Sequence, residues 1–169
     1  DNMQIALTFD DGPHPGRTPE ILAILDKFKI KATFFVIGQN VQYYPDVFNK
    51  IVNSGHEIGN HTFSHCSLKN SSINTIKNEL ESFEQLISQH NCKKTTLIPE
   101  GLYNEHLKAY ALKNDYDIIL WSVDTMDWSH KSVEEIIKNV LSNTNGGDII
   151  LMHDYISGKS STPQALEKL

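Results

Sequence analysis

The sequence predicts an α/β fold with a parallel sheet or barrel, and three observations carry that expectation. Apolar, strand-like runs alternate with helical patterns along the chain, which is the order of βα units. The runs are near-continuously apolar, as in strands covered on both faces. Acids and histidines collect at the C-terminal ends of the runs: Asp10 and Asp11, His61, Glu100, Asp124 and Asp127, His153. Closed α/β barrels and open doubly wound sheets both place their sites there.

The elements follow in order. Gln4–Phe9 reads as a strand. Thr18–Phe28 reads as a helix, with Thr18 at the N-cap and Pro19 at the first helical position. Lys31–Gly38 is β-rich and apolar, and Pro45–Gly55 is helical, stopped by Gly55. A short strand is expected at His56–His61. Ser72–His90 carries Ile73, Ile76, Leu80, Phe83 and Leu86 at helical spacing. Thr95–Pro99, Tyr116–Asp124 and Gly147–Asp154 complete the strands, and helical patterns at Glu105–Lys113 and Ser132–Leu141 separate them. Six strands fit in 169 residues, fewer than a complete eight-stranded barrel requires. The elements alone therefore leave two architectures, an incomplete, distorted barrel or an open doubly wound sheet.

Length and composition narrow the function. The 169 residues are expected to form one domain spanning 1–169, long enough to bury roughly 68–70% of the surface of the unfolded chain. A net charge of -6 does not suit nucleic acid, which requires a basic footprint. No apolar run is long enough to span a bilayer. Cys66 and Cys92 lack the C-x-x-C spacing of a thiolate zinc site, and the sequence does not decide whether they pair.

Two motifs carry chemistry. In "LTFDDGPHPG" two carboxylates follow an apolar run. On a strand, Asp10 and Asp11 would point to opposite faces. An ordinary Asp-Gly turn accounts for Asp11 and Gly12 but gives Asp10 no purpose. If a cation neutralises one acid, the other is left to accept a proton. In "HTFSH", His61 and His65 are four residues apart, on one face if the segment is a helical turn. That spacing alone is a weak signal, but a strand-end Asp supplies the missing third ligand. Two nitrogens and one oxygen leave a coordination position open for water. A metal-dependent hydrolase or phosphatase on an α/β sheet is compatible with these residues.

"TFDDGP", "HTFSH", "SVDTMDW" and "LMH", in this order, resemble the polysaccharide deacetylase family with the NodB-homology domain, carbohydrate esterase family 4. "STPQAL" resembles the opening of that family's last helix. The resemblance implies a distorted, incomplete (β/α) barrel and metal-dependent hydrolysis of N- or O-acetyl groups on a glycan such as peptidoglycan or a chitin-like polymer. Carried over position by position, Asp11, His61 and His65 match the metal ligands. Asp10 matches the general base and His153 the general acid. Asp127 matches the acid that orients that histidine. Trp128 and Leu151 match the apolar walls around the acetyl methyl. Pro99, Glu100 and Gly101 fall in the segment that contacts substrate. One divalent metal is implied; zinc suits the ligands, and cobalt, nickel or manganese would fit them. The implied partner is an acetylated polysaccharide or oligosaccharide, with a monomeric chain acting outside the cytoplasm, secreted or in the cell envelope.

The pattern breaks in "TTLIPEGLYN". Leu97 stands where the family has an Arg that pairs with the base aspartate, and Glu100 stands where Tyr or Gly is common. A second reading follows from Leu97: a weakly active or inactive relative that binds glycan or a partner.

Overall fold

The computed structural model describes residues 4–90 and 105–169. Within them lies one parallel five-stranded sheet: β1 (Ala6–Asp10), β2 (Thr33–Val36), β3 (Glu57–Asn60), β4 (Val123–Asp124) and β5 (Ile149–His153). The spatial order is β3-β2-β1-β5-β4. The sheet is open, an incomplete barrel with helices between its strands. The helices are α1 (Thr18–Lys27), α2 (Gly38–Tyr43), α3 (Pro45–Asn53), α4 (Ile73–Ser88), α5 (Glu105–Lys113), α6 (Val133–Asn143) and α7 (Thr162–Lys168). A 3-10 turn spans Asp127–Ser129.

Burial on both faces explains the apolar strands. Phe9, Phe34, Val36 and Met152 have no exposed surface, and they pack with Ile21 and Leu25 of α1, Ile51 of α3 and Ile136 of α6. The buried Thr8 hydroxyl of β1 is satisfied inside: it donates to the Ile150 carbonyl at 2.9 Å. A smaller cluster joins α4 to α5. It consists of Leu68, Ile76, Leu80, Leu107, Ala111 and Tyr116.

Several boundaries differ from the sequence expectation. The strand expected at Tyr116–Asp124 is reduced to Val123–Asp124. Helix α2 has no apolar pattern long enough to announce it. Thr18 is not the N-cap of α1. That position falls to Arg17, which makes no side-chain cap, while the Thr18 hydroxyl donates to Asp154 at 2.7 Å. The caps of the longer helices are local and readable: Ser72 accepts from Thr75 N, and Ser132 with Glu135 forms a capping box. The strand expected at Thr95–Pro99, together with Cys92, lies outside the described residues.

Close approach dictates one glycine. Phe35 of β2 lies beside Gly59 of β3 in register, and a Cβ on Gly59 would overlap the Phe35 ring. Gly59→Ala is expected to lower the unfolding free energy by about 1–3 kcal/mol, the usual cost of overpacking a core. Chemical denaturation checks this, and an unchanged midpoint and slope would contradict it.

Candidate metal centre and cleft

The parallel register sets the site. Asp10 at the end of β1 lies opposite His153 at the end of β5, so a carboxylate and an imidazole from distant parts of the chain become neighbours. Asp11 then leaves the strand with φ 78, a left-handed conformation uncommon for a residue other than glycine. Gly12 itself does not have positive φ. The turn therefore falls on the acid and separates the two carboxylates: Asp10 is 3% exposed, and Asp11 faces the cleft.

His61 and His65 reach Asp11 by a different route from the expected helical turn. Their segment is an irregular loop with positive φ at Thr62 and His65. Its shape comes from outside. Thr62 N donates to the Asn60 side chain at 2.9 Å. From α4, Glu79 accepts Phe63 N at 3.0 Å, Ser64 N at 2.8 Å and the Ser64 hydroxyl at 2.8 Å. Cys66, beside this loop, has its thiol pushed up by burial and by Glu79.

The three groups converge. Asp11 Oδ1 lies 3.1 Å from His61 Nε2 and 3.3 Å from His65 Nε2. That oxygen is buried between the two imidazoles. Donors about 3.3 Å apart suit a tetrahedral cation with bonds of about 2.0–2.1 Å. The two-nitrogen, one-oxygen set therefore fits a divalent metal. Burial pushes the Asp11 carboxyl up, but the two imidazoles outweigh it and hold the group below the usual carboxylate range.

His153 completes the cleft. Its Nδ1–H donates to Asp127 Oδ1 at 2.8 Å, which leaves Nε2 3.8 Å from Asp11 Oδ2. Asp127 is held in turn: its Oδ2 accepts His153 N and the Thr162 hydroxyl, each at 2.7 Å. Burial pulls the His153 pKa down, but the hydrogen bond and charge of Asp127, with Asp11 and Asp10, raise it to about 9. Burial raises Asp10 to about 6 against the pull of His61 and His153, and Asp10 Oδ1 has no hydrogen-bond partner.

Trp128 and Leu151 line the cleft of about 450 Å³ with these residues, joined by Trp121 and Asp124. A larger apolar crevice of about 660 Å³ opens among Ile5, Phe28, Leu141 and Leu169, at the other end of the sheet from this chemistry. Pro99, Glu100, Gly101 and Leu97 lie outside the described residues. Sequence reasoning missed Trp121, Glu79, Asn60 and Thr162. Trp121 ends an apolar run and offered a faint signal. Glu79 reads as an ordinary polar position of a helix. Glu79→Ala is expected to speed amide exchange at Phe63 and Ser64 by about tenfold or more, since each donor loses a bond to a charged group worth about 1.5–3 kcal/mol. Hydrogen exchange read by NMR checks this, and unchanged protection would show that the loop holds itself.

Comparison with known proteins agrees with this fold. The family model described as polysaccharide deacetylase matches residues 1–119. A peptidoglycan-N-acetylglucosamine deacetylase of Bacillus cereus is 38% identical over 168 residues, covering 98% of this chain and 79% of that protein. The crystal structure of the Bc1960 peptidoglycan N-acetylglucosamine deacetylase, in complex with a naphthalenyl N-hydroxybenzamide, superposes with a TM-score of 0.95 at 36% identity, covering 99% of this chain and 80% of that one. BA3943 of Bacillus anthracis, named as a pseudoenzyme of carbohydrate esterase family 4, superposes with a TM-score of 0.91 at 29% identity, covering 99% of this chain and 59% of that one. By its sequence and its fold, the chain belongs to the polysaccharide deacetylase family.

Proposed function

We propose that this chain is a metal-dependent deacetylase that hydrolyses the acetamide of N-acetylglucosamine residues in peptidoglycan. The observation that carries the reading is the convergence, in one cleft, of Asp11, His61 and His65 with a buried Asp10 and an Asp127-backed His153. The names of the similar proteins support the choice of glycan. Zinc suits the donor set, and cobalt, nickel or manganese fit the same ligands. Among the described residues no helix is long and apolar enough to cross a membrane. We propose that the chain acts on the cell wall, outside the cytoplasm, with residues 1–169 forming one catalytic domain that acts as a monomer.

The residues divide the work. Asp11, His61 and His65 would hold the cation, which would supply Lewis acidity and a water acidic near neutral pH. Asp10 accepts the proton of the attacking water, and its unpartnered oxygen is available for it. His153 carries its proton on Nε2 toward the cleft and gives it to the departing amine nitrogen. Asp127 fixes the ring and favours its charged form. Water adds to the acetyl carbon, the C–N bond breaks, and acetate and a free amine leave. Trp128 and Leu151 form the wall against the acetyl methyl.

Acetate release from N-acetylated peptidoglycan, read beside metal content, tests the assignment. Asp10→Asn is expected to keep the metal and lose about 10²–10⁴ in kcat. Asp11→Asn is expected to lose both. Asp127→Asn is expected to lower kcat with KM nearly unchanged. Metal loss in Asp10→Asn with retention in Asp11→Asn would reverse the two roles.

A second reading rests on Leu97, which stands in place of the family's Arg: a slow or inactive relative. Leu97→Arg distinguishes the two. A gain in acetate release supports a deficit at this position. Fast turnover by the unaltered chain, abolished by the substitution, removes that reading.

A further inference from the structure

Asp154 is the buried acid that the proposed chemistry does not use. It follows His153 directly but faces away from the cleft, is 2% exposed, and belongs to neither the ligand set nor the cleft lining. A carboxyl group in such a position costs stability unless its surroundings require it. Burial raises its pKa to about 7, with Asp11 and Asp10 adding to the rise against the Thr18 hydrogen bond. Its Oδ1 has no hydrogen-bond partner.

Its contacts all lead to the turn that carries Asp11. Asp154 N donates to the Asp10 carbonyl at 3.2 Å. The carboxyl group packs on Gly12, where a Cβ would overlap it, so Gly12 serves close approach rather than positive φ. Asp154 Oδ2 accepts the Thr18 hydroxyl at 2.7 Å, and the same hydroxyl accepts His14 N at 2.8 Å. Asp154 and Thr18 thus span the turn from Asp10 to His14. Two further bonds hold its outer side: Ile37 N to the Gly12 carbonyl and the Asn40 side chain to the Asp11 carbonyl, each 2.9 Å. A strained φ at Asp11 persists only where such contacts over-determine it.

We propose that Asp154, acting through Thr18 and Gly12, is a positioning residue that holds the Asp11 carboxylate toward His61 and His65. This rests on the reading of Asp11 as a metal ligand. Groups that orient ligands from behind are typically worth about 10–100-fold in metal affinity.

Titration of the metal-free protein with Co²⁺, followed by visible absorption, tests it. Asp154→Ala and Thr18→Val are each expected to weaken Co²⁺ affinity about 10–100-fold and to alter the absorption of the bound ion. The double variant is expected to be little worse than either single one, because the two act as a unit. Asp154→Asn keeps an acceptor for Thr18 and is expected to retain affinity within a few-fold. Thr18→Val conserves volume and stays informative if Asp154→Ala does not fold. Affinity within twofold of the unaltered protein in folded Thr18→Val or Asp154→Ala would overturn the proposal. Absence of Co²⁺ binding by the unaltered protein would overturn it together with the metal site. Co²⁺ binding without acetate release would overturn only the proposed activity.

Discussion

Five residues of β1 lie in parallel register with five of β5, from Ala6 opposite Ile149 to Asp10 opposite His153. The site depends on this pairing. A slip by one residue would exchange the two faces of the strand, moving Phe9 to the face that holds Asp10 and turning Asp10 away from the cleft. The strands are short, so hydrogen bonds alone specify the register weakly. Burial of Phe9 and Met152 on the same sheet specifies it strongly, because both are fully enclosed.

With that register in place, an excess of acid gathers at one end of the sheet. Asp10, Asp11, Asp127 and Asp154 lie near one another, and among the described residues the side chains that face them carry imidazoles and hydroxyls. The environments separate their properties. Asp11 is held low by two imidazoles, whereas burial leaves Asp10 and Asp154 high. Asp127 is met by three donors. Chemically identical side chains are thereby given different acidities, the condition that acid and base steps at one pH require.

The candidate ligands are carried on irregular backbone. Asp11 and His65 have positive φ, and neither is on a helix or strand. Regular elements fix the loops from behind: α4 through Glu79 and α1 through Thr18. A rigid sheet sets where the loops begin, and these side chains set where they point. Precision at a metal site requires both.

Most of the order of elements among the described residues, α2 apart, was legible in the sequence because it is local. Apolar periodicity and Gly55 as a stop act within a few residues of chain, as do the Ser72 and Ser132 caps found in the structure. The candidate donor types were legible too, since Asp11, His61 and His65 stand in recognisable motifs and the fold brings them together. What joins them was not. Thr18 reads as a cap, and only the fold sets it against Asp154, 136 residues away. Glu79 reads as a solvated helix position until α4 packs beneath the histidine loop. The helical turn expected for "HTFSH" gave way to a loop for the same reason: its hydrogen bonds go to Asn60 and Glu79 rather than along its own backbone. The sequence by itself determined the βα order and the chemical types at the strand ends. The tertiary structure decided which carboxylate is buried, which is paired and which is strained, because a carboxyl group's properties follow from neighbours that only packing brings together.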